Sequence, residues 1–213
     1  MRHLFLLVLL CGLGQVGLQA QEVRLNGYAH YVFDDKFDTY YSNTSYFRGK
    51  IKGGFQWGFG FEYKPNPYYG MELLYLHQDT EAPVYYYLQG DRDRVMDIGV
   101  NYILLSGSRY FASNGPLEAY GGFMAGAVIF QNKAPQVGEP GSVTKLALGI
   151  KLGANFWATD RIGLKVQTTF LSAIQAFGGS FYFGTGGSGA GVSTYSTITQ
   201  FELGGGLAIR LAR

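Results

Sequence analysis

The sequence predicts an all-β fold, namely a single eight-stranded antiparallel up-and-down transmembrane β-barrel. The main observation is a period of two in side-chain size and polarity, which is clearest over residues 47–63. The odd positions there are mostly bulky and apolar, whereas the even positions are charged, polar or glycine. Because successive side chains of a strand point to opposite faces, one face of this segment is apolar and the other is polar or bare.

Two further observations favour a barrel that crosses a membrane. Eight segments can carry the alternation, and each reaches the roughly 9–11 residues with which a tilted strand spans a bilayer. The chain of 213 residues also contains 32 glycines, 17 tyrosines and 16 phenylalanines. Glycine combined with aromatic residues suits closely packed strands with aromatic belts. No segment beyond the N-terminal region has the roughly 18 consecutive apolar residues of a membrane helix.

A signal peptide is predicted over residues 1–20, followed by one barrel domain over residues 21–213. A short basic start precedes the apolar run Leu4 to Leu13, which is too short to span a bilayer as a helix. Ala20 is the expected cleavage position, and an uncleaved anchor is the alternative. Lipid attachment at Cys11 is disfavoured because a large residue precedes it. Without Cys11 the mature chain has no cysteine, so we expect neither disulfides nor thiolate metal ligands.

The first four predicted strands differ in how clearly they alternate. They are residues 22–33, 47–63, 69–77 and 95–104. In the first, Val23 and Leu25 alternate with Arg24 and Asn26. The third is apolar on both faces, so its facing stays open. In the fourth, the face predicted to meet lipid consists of Met96, Ile98, Val100, Tyr102 and Leu104. The opposite face consists of Asp97, Gly99 and Asn101.

The last four predicted strands are residues 117–130, 143–156, 162–171 and 197–211. The fifth strand is dominated by glycine and alanine, and its facing also stays open. The sixth alternates clearly, with Leu148 and Ile150 opposite Gly149 and Lys151, and the seventh and eighth follow the same pattern. Predicted connections are long after odd-numbered strands and short after the second and sixth, as in outer-membrane barrels. The connection after the fourth strand, residues 105–116, is longer than this pattern requires.

The polar face is predicted to line the barrel interior. An eight-stranded barrel has room only for side chains, so glycines beside a few long charged residues fill it well. Bare glycine on a water-facing strand would only weaken that strand. A soluble barrel of the lipocalin type, with the faces reversed, is the alternative. The predicted interior charges are Arg24, Arg48, Lys50, Lys52, Glu62, Glu72, Asp97, Lys145, Lys151, Lys165, Glu202 and Arg210. Such charges must be paired or hydrated, which suggests a polar plug or, alternatively, a small gated pore.

The repeated patterns YYGMELLYL, VMDIGVNYIL and TKLALGIKLGANFWATDRIGLKV resemble those of small eight-stranded outer-membrane proteins of the OmpA/OmpX type. The resemblance covers the whole mature chain. It implies secretion to the periplasm and residence in the outer membrane of a Gram-negative cell envelope. It also implies outer-membrane lipid and lipopolysaccharide as surroundings, and the barrel assembly machinery as the partner during insertion.

The sequence carries little that indicates chemistry, so we predict no catalytic, cofactor or metal site. A glycine pattern over residues 184–189 lies in a Gly/Ser loop without the helix that a dinucleotide site needs. His77 is close in sequence to Asp79, but no spacing fixes a catalytic constellation. We interpret Asp34, Asp35 and Asp38 as part of a solvated acidic loop rather than as a cation site. The net charge of +2 is too small to indicate nucleic acid.

The predicted function is therefore non-enzymatic, either structural or in surface contact through long extracellular loops with a protein partner that the sequence does not name. A small outer-membrane pore is the alternative, and a lipid-modifying barrel enzyme ranks behind both. Tyrosine offers a large contact area at low entropic cost. The candidate contact residues are Tyr40, Tyr41, Tyr46, Tyr85, Tyr86 and Tyr87, for which ordinary interfacial anchoring is the alternative role.

Overall fold

The computed structural model describes residues 21–42, 45–86, 92–111, 115–133, 141–174, 181–184, 187–190 and 198–212. Within these ranges, side chains are described except at residues 35–50, 82–94, 96, 181–190, 198 and 212. None of the described residues belongs to a helix long and apolar enough to cross a membrane. The predicted signal peptide lies outside the described residues.

The described residues form twelve β-strands. They are β1 (Glu22–Val32), β2 (Asp35–Ser42), β3 (Ser45–Ile51), β4 (Gly54–Asn66), β5 (Tyr69–Tyr86), β6 (Arg92–Phe111), β7 (Leu117–Asn132), β8 (Ser142–Trp157), β9 (Ile162–Ile174), β10 (Phe181–Gly184), β11 (Gly187–Ala190) and β12 (Ile198–Ala212). Eight of them, β1, β4, β5, β6, β7, β8, β9 and β12, pair in sequence, and β12 returns to pair with β1. All these pairings are antiparallel, which confirms the predicted eight-stranded barrel.

One end of the barrel, which we call the turn end, carries the short connections between β4 and β5, β6 and β7, and β8 and β9. The predicted long connection over residues 105–116 is wrong, because β6 continues to Phe111 and pairs there with Ala119. Ser106 and Ser108 continue the alternation at buried inward positions. These small polar side chains hid the end of the strand in the sequence.

At the opposite end, which we call the loop end, two predicted loops are wrong. Residues 35–42 and 45–51 pair as the hairpin β2–β3, and β5 and β6 stay paired up to Tyr86 opposite Arg92. The single strand predicted over residues 47–63 is therefore two strands, interrupted at residues 52–53. These long strands were hidden because their polar residues obscure the alternation.

The interruption between β3 and β4 is a tight kink that ends the barrel wall. The backbone N–H of Gly53 donates to the Asp34 carboxylate (2.6 Å). A Cβ at Gly53 would overlap the carbonyl oxygen of Val32, so only glycine lets these two segments of the backbone approach this closely. Irregularities of this kind bend a strand and redirect it, and here the kink separates β4 from the hairpin β2–β3, whose strand β3 takes the place of β4 beside β5.

The outer surface of the barrel is apolar, as predicted. Phe123 is 76% exposed and Leu148 is 41% exposed, while Lys151 on the alternate face of β8 is buried. The predicted facing of the fourth strand is wrong, however. Ile103 points outward, whereas Tyr102 is fully buried inside the barrel. Since β6 is apolar on both faces, alternation alone could not decide which face meets the interior.

The barrel interior is divided into two halves of different character. The half near the turn end is filled by charged and polar side chains, whose members include Arg24, Asn26, Glu62, Lys64, Glu72, Lys151, Asn155, Lys165 and Gln167. The half towards the loop end contains a buried apolar cluster that includes Ile51, Leu74, Leu76, Val100, Tyr102, Leu104, Val128, Ala147, Leu171 and Ala173. The predicted polar plug is therefore polar over only part of its depth.

Candidate functional site

A buried network of hydrogen bonds surrounds Glu72 in the charged half of the interior. Its carboxylate accepts from Asn26 Nδ2 (2.7 Å) and from Lys151 Nζ (2.6 Å), and the Tyr28 hydroxyl donates to it as well. Lys165 Nζ in turn donates to the Tyr28 oxygen (3.1 Å). These side chains meet because they occupy inward positions on four strands: Asn26 and Tyr28 on β1, Glu72 on β5, Lys151 on β8 and Lys165 on β9. The ion pair between Glu72 and Lys151 is thus embedded in donors, as a buried pair requires.

A second carboxylate, Glu62, extends the same network towards the turn end. It accepts a hydrogen bond from Asn26 Nδ2 (3.2 Å) and another from the Tyr110 hydroxyl. Glycines make the necessary room: a Cβ at Gly60 would overlap the Glu72 carboxylate, and one at Gly70 would overlap that of Glu62. The glycines of the polar face therefore admit long charged side chains into a narrow lumen.

At the turn end the interior finishes in a group of charged side chains around one tryptophan, which we call the mouth cluster. Its members are Glu22, Arg24, Lys64, Glu118, Trp157 and Arg210. Arg24 donates two hydrogen bonds to each of two carboxylates, Glu22 (2.8 and 3.0 Å) and Glu118 (2.7 and 3.0 Å). Lys64 Nζ donates to Glu118 (2.6 Å). Such bidentate, charge-assisted bonds fix the position of the guanidinium.

Trp157 is held between the two arginines of the mouth cluster. The guanidinium carbon of Arg24 lies 4.7 Å from the ring centre, and that of Arg210 lies 3.4 Å from it. The indole N–H donates to Glu118 (3.3 Å), and Arg210 Nε donates to Glu22. Cation–π contacts and ion pairs therefore hold the aromatic ring and both cations in one arrangement.

A mainly neutral group of buried polar side chains lies beside the apolar cluster, and on β5 its member Gln78 follows Leu74 and Leu76 towards the loop end. Glu202 is fully buried in it and accepts from Gln56 Nε2 (3.1 Å), while His30 Nδ1 lies 3.4 Å from its second oxygen. Gln200 Nε2 donates to Gln78 Oε1 (3.4 Å). The hydroxyl of Tyr102, a member of the apolar cluster, donates to Gln200 Oε1, so polar and apolar side chains share this part of the interior.

The structure brings together some of the predicted interior charges and separates others. Six lie buried inside the barrel: Arg24, Glu62, Glu72, Lys151, Lys165 and Glu202. Arg210 lies at the mouth, and Lys145 is half-buried beside Phe130. Lys52 is instead exposed and pairs with Glu81 (2.7 Å) outside the barrel, and Asp97 is exposed too. The side chains of Arg48 and Lys50 lie outside the described ones.

Three residues of the mouth cluster escaped the sequence analysis. Glu22, Lys64 and Glu118 lie at or just beyond the predicted strand ends, where the alternation was judged to stop. Glu22 and Lys64 have the same parity as Arg24 and Glu62, so counting the first residue of the first predicted strand and extending the second predicted strand by one residue would have found them. Glu118 belongs to the strand with open facing, and no local signal marks it.

On the outer face near the loop end, His77 belongs to a separate polar group. Its Nε2 lies 3.1 Å from Asp79 and its Nδ1 lies 2.8 Å from Asn101 Oδ1, while Lys133 Nζ lies 2.8 Å from the same Asp79 oxygen. The hydrogen bond from Lys133 lowers the pKa of the exposed Asp79 carboxyl. His77 and His30 lie on opposite faces of the wall. Among the described side chains, no group of three His, Asp, Glu or Cys could hold a metal ion.

The candidate contact tyrosines lie at the loop end, where five of them belong to strands and not to loops. Tyr40 is paired with Tyr46 in the hairpin β2–β3, and Tyr85 and Tyr86 pair with β3 at the end of β5. Tyr41 belongs to β2. Tyr87 lies outside the described residues, and the side chains of the other five are not among those described.

Comparison with solved structures finds the same architecture in outer-membrane proteins. Neisserial surface protein A (NspA) is 13% identical, with a TM-score of 0.57, and the match covers 89% of this chain and 97% of that one. OprG from Pseudomonas aeruginosa is also 13% identical, with a TM-score of 0.57 and coverages of 92% and 99%. The chain has the fold of the small eight-stranded outer-membrane β-barrels.

A third barrel of this fold is the outer membrane protein AlkL, solved in lipid bilayers, at 14% identity and a TM-score of 0.55. That match covers 93% of this chain and 94% of AlkL, so the shared fold extends over nearly the whole of both chains. No family model matches the sequence, and no curated relative matches it. At these identities the likeness concerns the fold.

Proposed function

We propose that the protein resides in the outer membrane and acts by surface contact, through a sheet that continues beyond the barrel. The observation that carries this proposal is the pairing at the loop end. The hairpin of β5 and β6 extends to Tyr86 opposite Arg92, and β3 pairs along β5 from Phe47 opposite Tyr86 to Gly49 opposite Val84. Four strands, in the order β2, β3, β5 and β6, thus form a sheet beyond the kink at Gly53.

The edge of this sheet is the proposed contact surface. Among the described residues β2 pairs with β3 on one side, and on the other it contacts β12 without forming a hydrogen-bonded ladder. A free strand edge presents unpaired N–H and C=O groups, to which an extended segment of another protein can add as a further strand. The predicted contact residues Tyr40 and Tyr41 belong to this edge strand.

The arrangement of the interior supports contact over conduction. The apolar cluster at the loop-end half includes Leu76, Val100, Tyr102 and Leu104, all of them buried. These side chains fill part of the space through which water and ions would pass from one end of the barrel to the other. The charged side chains of the charged half also pair with one another, as Lys151 does with Glu72. This pairing favours the plug over the alternative of a small pore.

The arrangement of the histidines supports a role without catalysis. His30 is buried beside Glu202 inside the barrel, whereas His77 lies on the outer face beside Asp79. Among the described residues, no serine hydroxyl hydrogen-bonds to either imidazole. A serine hydrolase needs a histidine within hydrogen-bond reach of the serine.

Attachment of cells that display the full chain tests the proposal. We would replace residues 36–50, which form most of the hairpin β2–β3, by a short Asn-Gly turn, and measure autoaggregation and attachment to protein-coated surfaces. Attachment should fall when this hairpin is removed. Removal of residues 181–190, the hairpin β10–β11, is the matched control and should leave attachment unchanged. Equal attachment by all three strains, at equal surface display, would refute contact through the sheet.

A further inference from the structure

The apolar outer surface of the barrel has a groove of about 440 Å³ that runs across β6, β7, β8 and β9. One wall of the groove is a row of paired residues, Phe123, Ile150 and Phe170. Phe123 is 76% exposed, more than any other large apolar residue among the described side chains, so this wall stands high. The groove is on the outer face, and it is therefore separate from the mouth cluster and from the proposed contact sheet.

The opposite wall of the groove is the next row of paired residues, and it is low where its side chains are small. The row consists of Leu105, Ala125, Leu148 and Ser172. Between the two rows, the paired residues Met124 and Gly149 form the floor. The Met124 side chain is buried inside the barrel and Gly149 has none, so the floor of the groove is backbone.

The stagger of the strands determines the depth at which the groove lies. One row of paired residues leads from Asn101 around the whole barrel and returns to β6 at Phe111, ten residues further along the strand. Eight strands with such a stagger are tilted by about 40°, so each residue along a strand advances about 2.5 Å along the barrel axis. Because the rows are inclined too, neighbouring positions in one row differ by about 3 Å in height.

With these spacings the groove descends from the loop-end border of the apolar surface to the middle of that surface. Ser172 is within about 3 Å of the heights of His77 and Asn101, where the outward side chains become polar. Phe123 is about 11 Å closer to the turn end, near the middle of an apolar band that is about 25 Å tall in barrels of this kind. The groove therefore has a polar end at the border and an apolar end at mid-depth.

The shape of the groove suits a flexible apolar chain. Its two walls are neighbouring rows on one face of the sheet, about 7 Å apart. A second barrel is convex, so it would touch the high wall without reaching the floor, whereas a chain of methylene groups can follow the groove. Within a membrane, association depends on van der Waals packing, and a chain in the groove contacts two walls and a floor at once.

Ser172 supplies a polar group at the end of the groove that lies at the border. The residue is half-buried, and its hydroxyl donates to no described residue. An acyl chain that is esterified to a lipid headgroup carries a carbonyl oxygen at its polar end, and this oxygen can accept a hydrogen bond from the hydroxyl. Ligand sites are mostly apolar, with a few polar groups that fix the orientation of the ligand, and this groove has the same composition.

We propose that the groove binds one acyl chain of a membrane lipid, with the ester end at Ser172 and the methyl end at Phe123. The chain enters from the border near the loop end, so the lipid belongs to the leaflet on that side. The site is distinct from the proposed contact surface, and it requires only that the outer face of the barrel lies in the membrane. The remaining outward residues meet lipid in general, whereas the groove holds one chain in place.

Methyl NMR of the full chain tests for a specific lipid site. The chain, in maltoside micelles at constant detergent concentration, is titrated with dimyristoyl phosphatidylglycerol. The methyl signal of Ala125 in the groove should shift and saturate at about one lipid per chain. Ala29 is also exposed on the outer face, on β1 at a similar height, and its methyl signal should not saturate. No saturable shift at Ala125, or the same saturation at Ala29, would overturn the proposal.

Substitutions identify the residues that bind. Ala125→Phe fills the groove from the outer face and should remove the saturable response, which is then read at the Leu148 methyl groups. Ala29→Phe is the matched control and should leave the affinity unchanged. Ser172→Ala should weaken binding about threefold, the effect of one hydrogen bond inside a membrane. An unchanged affinity in Ala125→Phe, or an equal loss in Ala29→Phe, would contradict the assignment.

Two further measurements decide the occupant and its direction. Light scattering of the same samples should show a monomer, and a dimer that Ala125→Phe dissociates would assign the groove to a second copy and overturn the proposal. A lipid with a nitroxide near the ester should broaden the amide signal of Ser172 more than that of Phe123. A nitroxide near the methyl end should do the reverse, and the opposite pattern would refute the proposed direction of the chain.

Discussion

At the scale of single residues, glycine determines how much charge the barrel can hold. The inward glycines stand next to carboxylates: Gly60 adjoins Glu72 and Gly70 adjoins Glu62. Each carboxylate fills the volume that a Cβ would otherwise occupy. This explains why the polar face combines residues without side chains and residues with long ones, a combination that no water-facing surface needs.

A matched pair of glycine substitutions tests this role. Gly60→Ala should displace the Glu72 carboxylate and weaken its bonds to Asn26 and Lys151, at a cost of about 1–3 kcal/mol in the free energy of unfolding. Gly27→Ala is the control, since a Cβ there meets nothing within 4 Å. Urea unfolding of both variants in lipid vesicles measures the difference. Equal stability of the two variants would show that the interior has room for a Cβ beside Glu72.

At the scale of elements, β6 shows how a strand with two apolar faces is oriented. Its outward residues, Ile103 and Leu105, and its inward residues, Tyr102 and Leu104, are similar in hydrophobicity. The register with β5 and β7 decides the facing, because a slip of one residue would turn every side chain to the other face. In the observed register, Leu104 joins the buried apolar cluster near the loop end.

Site-specific labelling tests the facing of β6 and β8 together. Single cysteines are introduced at Ile103 and Leu148, which point outward, and at Leu104 and Lys151, which point inward. Cys11 is the single native cysteine and lies in the predicted signal peptide, so the mature chain should give no background. A lipid-soluble reagent should label the outward pair and spare the inward pair. The reverse pattern at 103 and 104 would restore the facing predicted from sequence.

At the scale of the whole molecule, the two ends of the barrel are chemically different. The turn end is a charged mouth built around Trp157, and the half of the interior nearer the loop end is apolar. The loop end carries the sheet of β2, β3, β5 and β6, so the proposed contact surface lies at the end of the barrel opposite the mouth cluster.

The proposed plug predicts that the purified chain does not conduct. In planar bilayers we expect no sustained current at either polarity, since side chains fill an eight-stranded barrel and apolar residues close one half of it. The variant Leu104→Gly removes a large buried side chain from that half. Its current in planar bilayers tests whether this side chain prevents conduction. Long-lived, anion-selective channels formed by the unsubstituted chain would support the pore in place of the plug.

The sequence by itself determined the barrel, its eight strands and six of its buried charges. These are local properties: alternation is visible in any stretch of ten residues, and in β1 and β8 one face is so much more polar that the facing follows directly. The same local signal placed Arg24 and Lys151 inside, because each is a charge on an otherwise small or polar face.

Only the tertiary structure decided the facing of β6, the extension of the strands at the loop end, and the partners of each charge. Each of these depends on pairing between distant residues. Glu118 meets Arg24 across 94 positions of the chain, and Arg210 meets Glu22 across 188. Local alternation determines the face on which a side chain lies. The closure of the barrel determines which side chains from distant strands lie at the same depth. The set of side chains that meet at the turn end determines the chemistry of the mouth.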